Sequence, residues 1–145
     1  MDEIHTYALK LLSRRDYSVT KLREKLISRF GENESLQAII ERLVTRNFLN
    51  DRRFAETYAG RRRNRGRMLL QMELTARGIA PELAEEVLSG MEWPSLQEAV
   101  KATITSLKLR APLQTSDATR LFRALIRLGY EEEAVREVVE QLHEQ

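Results

Sequence analysis

Residues 50–90 read NDRRFAETYAGRRRNRGRMLLQMELTARGIAPELAEEVLSG, and their punctuation divides them into three helices. Asn50 or Asp51 caps a helix that carries Phe54, Ala55 and Tyr58 and ends among arginines. A second helix holds Leu69, Leu70 and Leu74 and stops at Gly78. A third opens with Pro81 at its first position, where a backbone N–H would be unsatisfied anyway. It carries Leu83, Ala84, Val87 and Leu88 and stops at Gly90. These apolar residues recur at spacings of three and four, one face of a helix, and do not alternate as in a half-buried strand.

The same plan extends in both directions. Upstream, a helix from about His5 to Arg14 turns Tyr7, Ala8, Leu11 and Leu12 inward. The next starts at a Ser18 cap, carries Leu22, Leu26, Ile27 and Phe30, and stops at Gly31. A third follows Asn33 with Leu36, Ile39, Ile40, Leu43 and Val44 on one stripe. Downstream, Trp93-Pro94 marks a break, and Ser95 with Glu98 forms a capping-box pattern that starts a helix with Leu96, Val100, Ile104 and Leu107. After a loop at Ala111-Pro112, Leu121, Phe122, Leu125 and Ile126 run to Gly129, then Ala134, Val135, Val138, Val139 and Leu142 complete the chain.

Superposition tests whether this is a repeat. Shifted by 51 residues, Leu70, Leu74, Gly78, Leu83, Ala84, Val87 and Leu88 fall on Leu121, Leu125, Gly129, Ala134, Val135, Val138 and Val139. Shifted by 48, Leu22, Leu26, Leu36, Ile39 and Ile40 fall on Leu70, Leu74, Ala84, Val87 and Leu88, with Gly31 one place short of Gly78. The expected fold is all-α: about nine helices in tandem three-helix repeats over 1–47, 48–94 and 95–145. So small a unit buries little core alone, so the copies are expected to pack on their neighbours in an elongated, curved array.

Composition narrows the chemistry. The 145 residues are 42% hydrophobic and 32% charged with six Gly and three Pro, enough core material for a folded chain. Zero cysteines exclude disulfides and thiolate chemistry. His5 and His143, at opposite ends, are expected on the surface rather than as metal ligands. No apolar run approaches the roughly 20 residues of a membrane helix and the first ten residues are acidic rather than basic, so a cytoplasmic location is expected. No Walker or dinucleotide glycine motif occurs, and Glu85-Glu86 reads as solvated. No catalytic set assembles; the protein is expected to be no enzyme and to use neither cofactor nor metal.

The net charge of +2 hides a polarity. Seven arginines, Arg52, Arg53, Arg61, Arg62, Arg63, Arg65 and Arg67, face Asp51 and Glu56, a local +5; six glutamates from Glu131 to Glu144 face Arg136, a local −5. Both runs suit solvated faces near helix ends of the matching dipole, and both suit docking on a polar assembly. No lysine lies between Glu32 and Trp93. Arginine's planar fork pairs bidentately with carboxylate or phosphate, so the run grips an acidic protein face or a nucleic-acid backbone. The helix from Arg67 to Arg77 reads poorly as a base-reading element, because Glu73 repels phosphate. Weak, salt-sensitive backbone contact is the more reasonable expectation.

Two composite motifs then become recognisable. Ala8-x-x-Leu11-Leu12-Ser13-Arg14-Arg15-Asp16-Tyr17-Ser18 with Lys21-Leu22-x-x-Lys25-Leu26 resembles the opening unit of the RecX family of recombinase regulators. Phe48-Leu49-Asn50-Asp51-Arg52-Arg53-Phe54-Ala55-x-x-Tyr58, with Arg62, Gly66 and Leu74 to Gly78-Ile79, resembles its second unit. The likeness covers about the first 90 residues; the third unit matches only in its framework from Leu121 to Val139. Most motif residues read as scaffold. Arg14, Arg15, Arg52, Arg53 and Arg62 are not explained by packing, leaving partner contact or ion pairs with residues such as Asp16 and Asp51.

The resemblance implies a non-enzymatic modulator of the bacterial recombinase RecA, and the protein is expected to be a monomer. Such a protein lies in the groove of the RecA filament on single-stranded DNA, suppresses ATP hydrolysis and strand exchange, and limits filament growth. The candidate partner-binding residues are Arg14, Arg15, Arg52, Arg53, Arg61, Arg62, Arg63, Arg65 and Arg67. Weak direct DNA contact is a further expectation, and a tandem helical module that binds nucleic acid directly is the alternative.

Overall fold

The computed structural model describes residues 2–143, so Glu144 at the end of the acidic run lies outside the described residues. Among them the chain forms nine α-helices and no strand. The helices are α1 (Glu3–Arg14), α2 (Val19–Phe30), α3 (Ser35–Thr45), α4 (Asp51–Gly60), α5 (Arg67–Ala76), α6 (Pro81–Ser89), α7 (Leu96–Leu107), α8 (Thr115–Arg127) and α9 (Glu132–Leu142), with a 3-10 turn at Arg63–Arg65. The all-α expectation holds. No helix among the described residues is long and apolar enough to cross a membrane. The chain divides into two compact units, Met1–Arg61 with Gln71–Gly90 and Arg62–Leu70 with Met91–Gln145, the division falling inside α5.

In the first unit α1, α2 and α3 pack on one another around Ala8, Leu11, Leu22, Leu26, Ile39, Ile40 and Leu43. Helix α1 starts two residues earlier than expected because Asp2 caps it, its carboxylate accepting from Ile4 N at 2.9 Å. His5 is buried (7% exposed), contrary to expectation, because it shares the inward stripe with Ile4, Ala8 and Leu11. Val44, expected on the core stripe, is 45% exposed, since it lies in the last turn of α3, beyond Leu43. Ser18 caps α2 by accepting from Lys21 N at 3.2 Å.

Helix α4 packs on α6 and buries Phe54, Ala55, Tyr58 and Ala59. Asn50 is its cap, accepting from Arg53 N at 2.9 Å. Asp51, the other candidate cap, instead reaches the start of α2 and accepts from Val19 N at 2.9 Å. The N-terminus of α2 also docks on the end of α5. Ser18 Oγ donates to the Arg77 carbonyl at 2.6 Å, and Thr20 Oγ1 to that of Gly78 at 3.4 Å. Gly78 has φ +87°, and a Cβ there would lie 2.3 Å from Thr20 Cβ, so only glycine fits. The first two helix triplets are thus joined through backbone carbonyls and one carboxylate.

In the second unit α7 packs on α8 and α8 on α9, around Val100, Leu113, Leu121, Leu125 and Val135. Ser95 caps α7 and accepts from Glu98 N at 3.1 Å. Glu131 caps α9, accepting from Glu133 N and Ala134 N, both at 3.0 Å; these bonds hold its carboxyl below the usual range. Tyr130 donates to the Pro94 carbonyl at 2.5 Å, and partial burial, helped by the Glu98 charge, raises its pKa. Leu113 N donates to the Leu142 carbonyl at 2.7 Å, tying the loop after α7 to the end of α9.

Burial repeats where the sequence repeats. Leu22 and Leu26, Leu70 and Leu74, and Leu121 and Leu125 are all 0% exposed. The third helices follow the same register at Ile40, Leu88 and Val139.

Candidate partner-binding site

The nine arginines singled out in the sequence belong to two sets. Arg14, Arg15, Arg52, Arg53 and Arg61 lie in the first unit; Arg62, Arg63, Arg65 and Arg67 lie in the second. Arg14 occupies the last turn of α1, where the helix dipole favours a cation. Arg15 follows it, with its guanidinium 4.9 Å from the Tyr17 ring centroid, and both arginines are exposed.

Arg52 and Arg53 have structural partners, and not the expected ones. Arg52 Nη2 lies 2.7 Å from Glu86 Oε2 on α6. Arg53 donates to the carbonyls of Asn47 and Phe48 at 2.9 and 3.2 Å, holding the turn that follows α3. Asp51 is spent on Val19 N, as described. Arg61 closes α4 and is exposed.

Downstream, Arg62 is half-buried, whereas Arg63, Arg65 and Arg67 are exposed around the 3-10 turn. Gly66 anchors that turn. Its φ is +83°, and a Cβ would meet Leu128 Cδ2 at 2.7 Å, so a short arginine-bearing loop is pinned by backbone close-packing.

A concavity of the first unit lies elsewhere. A cleft of about 620 Å³ runs along α2 from Ser18 past Lys21 and Lys25 to Ser28. Arg15, Asp16 and Tyr17 line it from the loop after α1, Phe54 from α4, and Ala76 and Arg77 from the end of α5. Of the arginines expected to bind a partner, only Arg15 lines it. Lys21, Lys25 and Arg77 are the cations that sequence reasoning did not assign to a site. The available signal was the four-residue spacing of Lys21 and Lys25 beside the buried Leu22 and Leu26.

Glu73, which argues against α5 as a DNA-reading helix, accepts a hydrogen bond from Tyr58 Oη at 2.5 Å. Arg77 covers the same tyrosine ring at 4.5 Å and donates to the Glu73 carbonyl at 3.2 Å. Both residues are therefore engaged with α4. His143 is half-buried, with Nε2 3.1 Å from Thr115 Oγ1. Among the described residues no group of three or more His, Asp or Glu side chains is placed to hold a metal ion.

Comparison with known proteins agrees with this architecture. Residues 50–88, covering α4 to α6, match the family model described as RecX, second three-helix domain. The regulatory protein RecX of Thermus thermophilus is 44% identical over 87 residues, 59% of this chain and 61% of the relative; the match thus spans less than two thirds of that protein's length. The regulatory protein RecX of Trichlorobacter lovleyi is 33% identical over 141 residues, 92% of this chain and 91% of the relative. The crystal structure of RecX from Lactobacillus salivarius shares the fold, with a TM-score of 0.74 over 97% of this chain and 94% of that one at 18% identity. From the near full-length match at 33% identity, together with the family model that spans α4 to α6, the chain belongs to the RecX family of regulatory proteins.

Proposed function

We propose that the protein regulates the bacterial recombinase RecA without being an enzyme itself, by lying in the groove of the RecA filament on single-stranded DNA. There it slows ATP hydrolysis and strand exchange and limits filament growth. The observation that carries this reading is membership of a family whose relatives are named regulatory protein RecX, one of them matched over 91% of its own length. Exposed arginines support it, since Arg14, Arg15, Arg61, Arg63, Arg65 and Arg67 offer bidentate donors to carboxylate or phosphate. In this reading the protein acts as a cytoplasmic monomer, its three helix triplets serve as the docking units, and direct DNA contact is weak and secondary.

The test is the DNA-dependent ATPase of RecA with the protein added below stoichiometry. Suppression is expected; an unchanged rate at every ratio, with filaments demonstrably formed, overturns the proposal. Charge reversal of Arg61, Arg62 and Arg63 together, with helicity retained, is expected to relieve that suppression. Gel retardation of bare DNA through a salt series separates the alternative: a complex that survives physiological salt without recombinase favours direct nucleic-acid binding.

A further inference from the structure

The cleft along α2 carries four cationic side chains, Arg15, Lys21, Lys25 and Arg77, and two carboxylates, Asp16 and Glu24. Lys21 is paired with Glu24 at 3.2 Å, but the two side chains are 44% and 55% exposed. An exposed i,i+3 pair of this kind contributes little to stability and exchanges readily for a better partner. From Ser18 to Ser28 the cleft follows α2 for about 15 Å, the length of roughly five residues of extended chain. Lys21 and Lys25 stand one turn apart, about 6 Å along the helix axis, which approaches the ~6.6 Å between alternate residues of an extended peptide.

The mixed charge selects the ligand class. A nucleic-acid backbone is a uniform track of acceptors; it would meet the cations but leave Asp16 and Glu24 facing phosphate. Its bases would find little aromatic platform, because Tyr17 and Phe54 are buried residues, each only 9% exposed. A peptide offers both halves: acidic side chains for the lysines and Arg15, and backbone N–H donors for Asp16 and Glu24.

We propose that this cleft binds an extended protein segment with acidic residues at alternate positions, Lys21 and Lys25 reading two successive acids and Arg15 closing one end. If the regulatory reading above is right, the segment belongs to a protein of the recombination assembly; the cleft's chemistry does not depend on it.

The experiment is fluorescence anisotropy with the full chain and three labelled probes: a short peptide with three glutamates at alternate positions, the same composition with the glutamates contiguous, and an oligothymidylate. The expected result is that the alternating peptide binds best, and that the R15E/K25E double variant, altered only at exposed positions, binds it at least about ten-fold more weakly with unchanged far-ultraviolet CD. Equal binding of both peptides, oligothymidylate binding that falls in parallel in the variant, or no peptide binding at all overturns the proposal. RecA ATPase separates the two claims. Full suppression by R15E/K25E with peptide binding lost leaves regulation standing and removes the cleft from its mechanism. Peptide binding that depends on these cations, with no effect on RecA by the unmodified chain, upholds the cleft and removes the regulatory reading.

Discussion

Helices α4 and α7 each open a run of three helices, yet they hold their surroundings by different means. Helix α4 buries Phe54, Ala55, Tyr58 and Ala59, and its polar residues reach four other places: Asp51 the start of α2, Arg52 Glu86 on α6, Arg53 the turn after α3, and Tyr58 Glu73 on α5. Helix α7 buries Ala99 and Val100, and its Ser95–Glu98 capping bonds stay within its own first turn. The same position in a helix run is thus a junction in one case and a cover in the other. A junction of this kind constrains many side chains of α4 at once, each toward a different neighbour.

The largest break in that contrast is expected from paired truncations. Phe54→Ala should destabilise the chain by about 3–4 kcal/mol, whereas Val100→Ala should cost about 1–2 kcal/mol, since fewer buried carbons are removed. Urea unfolding followed by far-ultraviolet CD measures both, and equal losses would erase the distinction between junction and cover. Next in size, Asp51→Ala should cost about 1–2 kcal/mol through the orphaned Val19 N–H and the lost charge at the N-terminus of α2. Asp51→Asn, which keeps an acceptor, should recover part of that loss. A full loss in Asp51→Asn would assign the effect to charge alone.

How legible this was follows from the range of each interaction. The repeating stripes, Leu22 and Leu26, Leu70 and Leu74, Leu121 and Leu125, could be read directly, because helical period is local and burial follows it. Ser18 as a cap and Gly31, Gly78 and Gly90 as stops were equally local. The tertiary partners were not. Asp51 bonds Val19 from 32 residues away, Arg52 bonds Glu86 from 34, and Ser18 bonds Arg77 from 59; no spacing rule relates such pairs. The cleft shares this opacity, since Lys25, Phe54 and Arg77 meet only once the first two triplets have docked. Arginine density drew attention to 61–67, while a lysine pair on α2 was the quieter signal.

Smaller perturbations sharpen the same comparison. Tyr58→Phe keeps the ring and removes the bond to Glu73, for an expected loss of about 1 kcal/mol; an unchanged midpoint would show that the hydroxyl contributes nothing to the α4 junction. Arg52→Ala, at a largely exposed pair, should cost less than about 0.5 kcal/mol after solvent screening. The mildest effect is expected at Glu131, whose folded-state pKa is lowered by the two backbone N–H groups it caps. Its stabilisation is fully present above the ordinary carboxylate range and disappears as pH falls through the lowered value. Acid unfolding of Glu131→Gln should therefore show a shallower pH dependence than the parent chain, and identical profiles would assign the acid sensitivity elsewhere.

Ser18 serves two neighbours with a single oxygen, receiving the Lys21 amide proton and handing its own to the Arg77 carbonyl. Ordinary capping rules rank aspartate and asparagine as its equals. Here aspartate lacks a proton to give, and asparagine brings extra atoms into a spot that is 0% exposed. The set of replacements tolerated at this residue is therefore narrower than helix-capping preference alone allows: threonine keeps the hydroxyl and only has to find space for one methyl.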